Sequence, residues 1–169
     1  RGGVACLFRL ELLGHYPILV LTEGEWDAML LWEYCPDLCD VGTLGGASTK
    51  PDLLDLSLLT RYLAVLVIHD DDKAGDEGRQ SVARLQQRFP RVQSVQPPAH
   101  DLTDFWKAGG DPSFHSPVPA VLAQAGQALR TWLAGQVSDA LEKVLGGMTG
   151  RSPKLDDWRR LAWLARAEA

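Results

Sequence analysis

Two acidic segments carry the residues that could do chemistry. Glu23, Glu25 and Asp27 follow one apolar run, Ile18-Leu19-Val20-Leu21, and Asp70, Asp71 and Asp72 follow another, Ala64-Val65-Leu66-Val67-Ile68. Apolar runs this short and continuous read as strands buried on both faces. Both sets of carboxylates then sit at the C-terminal ends of buried strands, the edge where open α/β sheets bind ligands. Like charges crowded at one edge repel, so folding alone gains nothing from Glu23, Asp70 and Asp72 there. A hard divalent cation would relieve the repulsion, and Mg²⁺ (or Mn²⁺) prefers carboxylate oxygen and water. Asp70 and Asp72 are two apart, so in extended backbone their side chains leave on the same side, with Asp71 turned to solvent.

Each acid also has a plainer reading. Glu23, Glu25 and Asp27 all suit the positive end of a helix dipole, and the aspartates suit an acidic turn before a helix. The coincidence of the two segments favours the metal or catalytic reading for Glu23, Asp70 and Asp72. Asp27 stands evenly between the two readings, and Glu25 reads as exposed. Gly75 lets backbone approach closely where the next helix starts. Lys73 suits a phosphate contact or a pairing with the acids. Gly42, Gly45 and Gly46, followed by Ser48, Thr49 and Lys50, form a turn whose amides could cradle a phosphate or simply turn the chain. It is no Walker A motif. Asp101 and Asp104 open a short helix, where capping accounts for one of them. His69 and His100 flank the acids and read as local hydrogen-bonding residues. Most of the six tryptophans read as core, although Trp26 and Trp106 lie near the acids.

These side chains need a scaffold that brings 23 and 70 together. A strand or strand pair over 4–13 leads in, then strands and helices alternate. Strands are expected at 18–22, 39–44, 63–68 and 92–96, with helices over 25–34, 52–61, 75–88 and 101–108. In the first helix Trp26, Met29 and Leu30 recur at helical spacing. Pro36 and Pro90 end helices, and Gly109-Gly110 stops the last. Alternation of this kind means βαβ units and a parallel sheet. If Glu23 and Asp70 share a cation, the first and third strands are neighbours, which gives the order 2-1-3-4. The texture changes near 111. Pro112, Pro117 and Pro119 form a linker-like stretch, and 118–145 is helix-forming. Gly146-Gly147 interrupts, and Ser152-Pro153 starts another helix bearing Trp158, Leu161, Trp163 and Leu164. The division is therefore 1–15 as an upstream segment, 16–110 as the sheet domain and 111–169 as a helical appendage without a metal ligand.

The 169 residues suit one domain with an appendage, and 46% apolar content supplies a core. A net charge of -5 argues against wrapping DNA through bulk positive charge, while leaving room for a local nucleic-acid site. No apolar run approaches the roughly 18 to 20 residues of a membrane helix. Cys6, Cys35 and Cys39 make no disulfide framework and lack zinc spacing, and read as reduced cytoplasmic thiols. The chain starts at Arg1 without an initiator Met or signal peptide and reads as a piece of a longer protein.

Four motifs in this order resemble the Toprim domain, in its bacterial-type primase and primase-helicase branch. They are Glu23-Gly24-Glu25-Trp26-Asp27, the glycine turn at 42–46, Asp70-Asp71-Asp72-Lys73-Ala74-Gly75, and Asp101-Leu102-Thr103-Asp104, together spanning about residues 16–110. His69 stands where that family usually has an aromatic or small apolar residue. The resemblance implies a four-stranded parallel α/β sheet and metal-dependent nucleotidyl transfer for RNA primer synthesis. It implies Glu23, Asp70, Asp72 and Asp101 as cation ligands. Glu23 would bind metal directly or act as general acid/base, with Asp27 orienting a metal-bound water. It further implies a single-stranded DNA template, nucleoside triphosphates and a replicative helicase or helicase domain as partners. In primases the template is held largely by a further N-terminal subdomain, of which at most 2–13 is present. A Toprim nuclease would use the same acids, and a degenerate module would bind DNA or a helicase without catalysis. A topoisomerase fits poorly, because Tyr16, Tyr34 and Tyr62 all fall inside the Toprim part.

Overall fold

A computed structural model describes residues 14–46, 62–109 and 119–149, with side chains of the last segment described over 123–144. The strand expected over 4–13, the helix over 52–61, Ser48, Thr49 and Lys50, the proline stretch at 111–117 and the helix after Ser152 lie outside them.

Four parallel strands form the sheet: β1 (Ile18–Thr22), β2 (Asp40–Thr43), β3 (Ala64–Ile68) and β4 (Val92–Val95), in the order β2-β1-β3-β4. The order is the one that a shared site for Glu23 and Asp70 requires. Every residue of β1 and β3 is buried, as continuous apolar runs in a sheet covered on both faces should be. Register pairs Ile18 with Ala64 and Thr22 with Ile68, so the two strands end level; Glu23 follows β1 at once, and Asp70 follows β3 after His69.

Side chains alternate between the faces. Ile18, Val20, Ala64, Leu66 and Ile68 share one core with Ala28, Leu31 and Leu102. Leu19, Leu21, Val65 and Val67 share the other with Tyr62, Val82 and Leu85. Ala28 and Leu31 belong to helix α1 (Glu25–Tyr34), Val82 and Leu85 to α2 (Lys73–Gln86), and Leu102 to α3 (Leu102–Lys107).

Three local expectations need correction. The buried face of α1 is Asp27, Ala28 and Leu31, whereas Trp26 is 75% exposed and Met29 42%. Apolar spacing alone misassigned that face, because Asp27 is hydrogen-bonded inward and so can be buried (below). α2 starts at Lys73 rather than 75, because the Asp72 carboxylate accepts the Gly75 N–H and caps the helix earlier. Helix α4 (Pro119–Thr149) continues through Gly146-Gly147. Glycine weakens a helix by only about 1 kcal/mol each relative to alanine, too little to stop a long cooperative one.

α4 docks on the sheet. Leu129, Leu133, Val137, Ala140 and Leu141, recurring at helical spacing, are buried in the same core as β1 and β3. Gly126 lies so close to the Tyr34 ring of α1 that a Cβ would collide with it. Arg130 fixes the register: its guanidinium donates to both oxygens of Asp37 and, at 3.2 Å, to the Tyr34 carbonyl. The fork geometry that only arginine offers is used here in full.

Candidate metal centre

Backbone and hydroxyl bonds tie the C-terminal ends of β1 and β2 together beside the acids. The Thr43 hydroxyl donates to the Glu23 carbonyl at 3.0 Å, and the Leu44 N–H to the Thr22 carbonyl at 2.8 Å. The Glu23 carboxylate, half-buried, accepts the Asp70 N–H at 3.3 Å. Across the next gap, the Asp71 N–H donates to the His100 carbonyl at 2.7 Å, bringing the 96–101 segment alongside.

Asp27 is buried at the first turn of α1. Its Oδ1 accepts both the Thr103 N–H (3.0 Å) and the Thr103 hydroxyl (2.6 Å), which joins α1 to the start of α3. Burial pushes its carboxyl above the ordinary value, and the Thr103 hydroxyl pulls the other way. Asp101 caps α3 by accepting the Asp104 N–H. It also adds its charge to those acting on Asp27 and on Asp70. Capping and membership of the acidic group are therefore not alternatives for Asp101.

Asp70 is the centre of the group. Its carboxyl is pushed up to about 7, first by burial and then by the charges of Glu23, Asp27 and Asp101, with His100 opposing. A carboxyl held near neutrality first by burial and then by three neighbouring charges is the electrostatic pattern of a candidate cation site or acid/base group. Hard carboxylate oxygens without a thiolate suit Mg²⁺ or Mn²⁺. Among the described residues, the group whose ligand atoms all lie within 4.8 Å of one another is His100, Asp101 and Asp104, at the rim; Glu23, Asp27 and Asp101 act on Asp70 by charge without converging that closely with it.

Not every expected residue joins the group. Asp72 is exposed, uses one oxygen to cap α2, and is absent from the charges pressing on Asp70. Asp71 faces outward as expected, within reach of Arg79 and Gln96. Lys73 is exposed on the first turn of α2 and makes no ion pair with the acids among the described residues. The Asp104 carboxylate is exposed and lies 3.4 Å from Lys107 Nζ. Gly45 and Gly46 have φ of 76° and 139°, so this turn requires glycine. The Gly45 N–H donates to the Thr43 hydroxyl, which leaves fewer amides for a phosphate. Gly75 packs against the Asp70 carbonyl, where a Cβ would clash with backbone.

His69 departs from its expected role as a hydrogen-bonding residue. It is fully buried, and neither ring nitrogen has a hydrogen-bond partner among the described residues. Its ring fills the space under Gly78, and burial lowers its pKa. Cys35 and Cys39 are buried free thiols. Burial pushes Cys35 up to about 11 and Cys39 well above its ordinary value, so both stay protonated and poor as ligands. Sequence reading missed Thr103 and Arg79. Thr103 stood between Asp101 and Asp104 in an already suspected motif, whereas nothing in the sequence distinguished Arg79 from other surface arginines.

No family model matches the sequence, and no curated protein matches it. Solved structures do. One is the bacteriophage T7 lagging-strand DNA polymerase interacting with primase domains of two gp4 subunits bound to an RNA/DNA hybrid and dTTP. Identity is 25% and the TM-score 0.55, over 66% of this chain and 58% of that one. Another is the primase fragment of the bacteriophage T7 primase-helicase protein, at 24% identity and a TM-score of 0.55, over 64% of this chain and 46% of that one. The chain thus spans about half the length of the structures it resembles. Sheet order, flanking helices and C-terminal helix match these neighbours, and the likeness is to a Toprim domain of the bacterial-type primase branch.

Proposed function

We propose that this chain is the catalytic Toprim core of a DNA primase or a primase-helicase-like replication protein, extending RNA primers by metal-dependent nucleotidyl transfer. The observation that carries the reading is the meeting of acids at the C-terminal edge of β1 and β3, where the Glu23 carboxylate accepts the Asp70 N–H at 3.3 Å and the charges of Glu23, Asp27 and Asp101 all act on Asp70. The likeness to primase domains bound to an RNA/DNA hybrid and dTTP supports the substrate class.

Glu23, Asp70 and Asp101 would hold a divalent cation, with Asp72 left outside as the cap of α2. When bound, the cation supplies charge neutralisation for a 3′-hydroxyl attacking an α-phosphate and for the departing pyrophosphate. The protein's own contribution is positional. Thr103 holds Asp27, Asp101 anchors the rim helix, and Glu23 and Asp70 face each other across adjacent strands. Asp70, partly protonated near neutrality, gives up its proton when a positive charge enters. Glu23 is the candidate for moving a proton at the attacking hydroxyl. The net charge of -5 puts the grip on the DNA template outside bulk electrostatics, in a companion domain or a helicase.

One assay tests this. The protein is given a single-stranded DNA template, labelled nucleoside triphosphates and Mg²⁺ or Mn²⁺, with a parallel reaction lacking triphosphates. Triphosphate-dependent synthesis of short RNA supports the proposal. Cleavage of the DNA with metal alone would make the chain a Toprim nuclease, and DNA binding without either product would make it a non-catalytic module.

A further inference from the structure

We infer that Arg79 is a positioning residue for the acidic site, clamping the backbone from which Asp70 projects and so setting the cation affinity of the cluster. The inference rests on the proposed cation site. Arg79 lies in α2, its side chain is only 19% exposed, and it touches no acid of the central group. Its Nη1 donates to the Asp70 carbonyl at 2.8 Å and to the His69 carbonyl at 3.4 Å. Its Nη2 donates to Asp76 at 2.7 Å and lies 3.6 Å from the Asp71 carboxylate.

Two consecutive carbonyls held by one rigid planar group fix the peptide between them, and with it the direction of the Asp70 side chain. The other contacts of this segment come from the same helix. Gly75 closes on the Asp70 carbonyl and Gly78 on the His69 ring, each at a distance that a Cβ would forbid. Glu23 holds the Asp70 N–H, and His100 holds the Asp71 N–H. Among the described residues, Arg79 alone holds the segment by charge-assisted bonds to its carbonyls. A simple helix-surface ion pair with Asp76 would contribute little and would not concern the site. Groups that orient a ligand-bearing segment without touching metal typically alter metal affinity by about 10- to 100-fold.

The test uses the whole chain with Arg79→Gln, Arg79→Lys and, as a control that removes the ion pair alone, Asp76→Asn. Mn²⁺ binding is read by the loss of free-ion paramagnetic resonance signal. Exchange of the Asp70 and Asp71 amides is read by NMR without metal. Arg79→Gln should weaken Mn²⁺ binding by about tenfold or more and speed exchange of both amides. Arg79→Lys, which keeps charge but loses the fork, should fall between, and it serves as the deciding variant if Arg79→Gln does not fold. Asp76→Asn should match the unaltered chain. Unchanged Mn²⁺ affinity and unchanged exchange in folded Arg79 variants would overturn the clamp. If the unaltered chain binds no Mn²⁺, the proposed function falls instead, and exchange alone decides: faster in the variants, the clamp stands; unchanged, it does not.

Discussion

The Asp70 N–H donates to the Glu23 carboxylate at 3.3 Å, across two parallel strands that end in register. The bond holds one acid beside another, and the second is pushed up to about 7 partly by the first. Folding therefore maintains an electrostatic conflict at the sheet edge, and its consequences can be measured.

Without divalent cation, stability should fall as pH rises from about 4 to about 7. Asp70 ordinarily titrates at 3.8 and in the folded chain at about 7. Between these values the folded protein keeps a proton that the unfolded chain has shed. The unfolded state then binds fewer protons, and the slope of unfolding free energy with pH is negative. Asp27, also raised, adds the same sign. Thermal unfolding across pH 4–8 in chelator should show this decline and then a plateau, whereas a rise through the window would contradict the crowding.

Asp70→Asn should match the unaltered chain in stability at low pH and exceed it at pH 8, since asparagine mimics the protonated acid without the charge. Divalent affinity should drop by more than about tenfold, and nucleotidyl transfer should be lost. Calorimetry with Mn²⁺, paired with thermal melts, reads both effects. A variant that unfolds would make Asp70 structural.

Thr103→Val removes the hydroxyl donor from the buried Asp27 carboxylate while keeping side-chain shape. A buried acceptor deprived of a partner costs about 1–3 kcal/mol. Chemical denaturation at pH 8 should show that loss, shrinking at acid pH where Asp27 becomes protonated and its charge needs no donor.

Leu133→Ala should cost about 2–5 kcal/mol, because the side chain is fully buried in the core that α4 shares with the sheet. Deleting 116–169 should accordingly destabilise the sheet domain by exposing apolar surface of α1, α3 and β3 to water. A truncated chain with an unchanged denaturation midpoint would show that α4 is dispensable.

The sequence alone determined the four described strands and the edge that carries the acids, and set their order on the condition that Glu23 and Asp70 share a ligand. Continuous apolar runs have few other fates than burial on both faces, and carboxylates that follow two such runs must share an edge if they share a ligand. Tertiary packing decided which carboxylates meet. Asp72 and Asp101 both cap helices, yet only Asp101 lies where its charge reaches Asp70, because the Asp71–His100 bond brings its segment alongside. The inward face of α1 was likewise settled from outside the helix. Thr103, 76 positions away, supplies the donors that let Asp27 be buried while Trp26 is not. The docking of α4 depends on the contact of Gly126 with Tyr34 and of Arg130 with Asp37, pairs about 90 positions apart. Local propensity acts over a few residues, and such contacts exist only once the chain has folded back on itself.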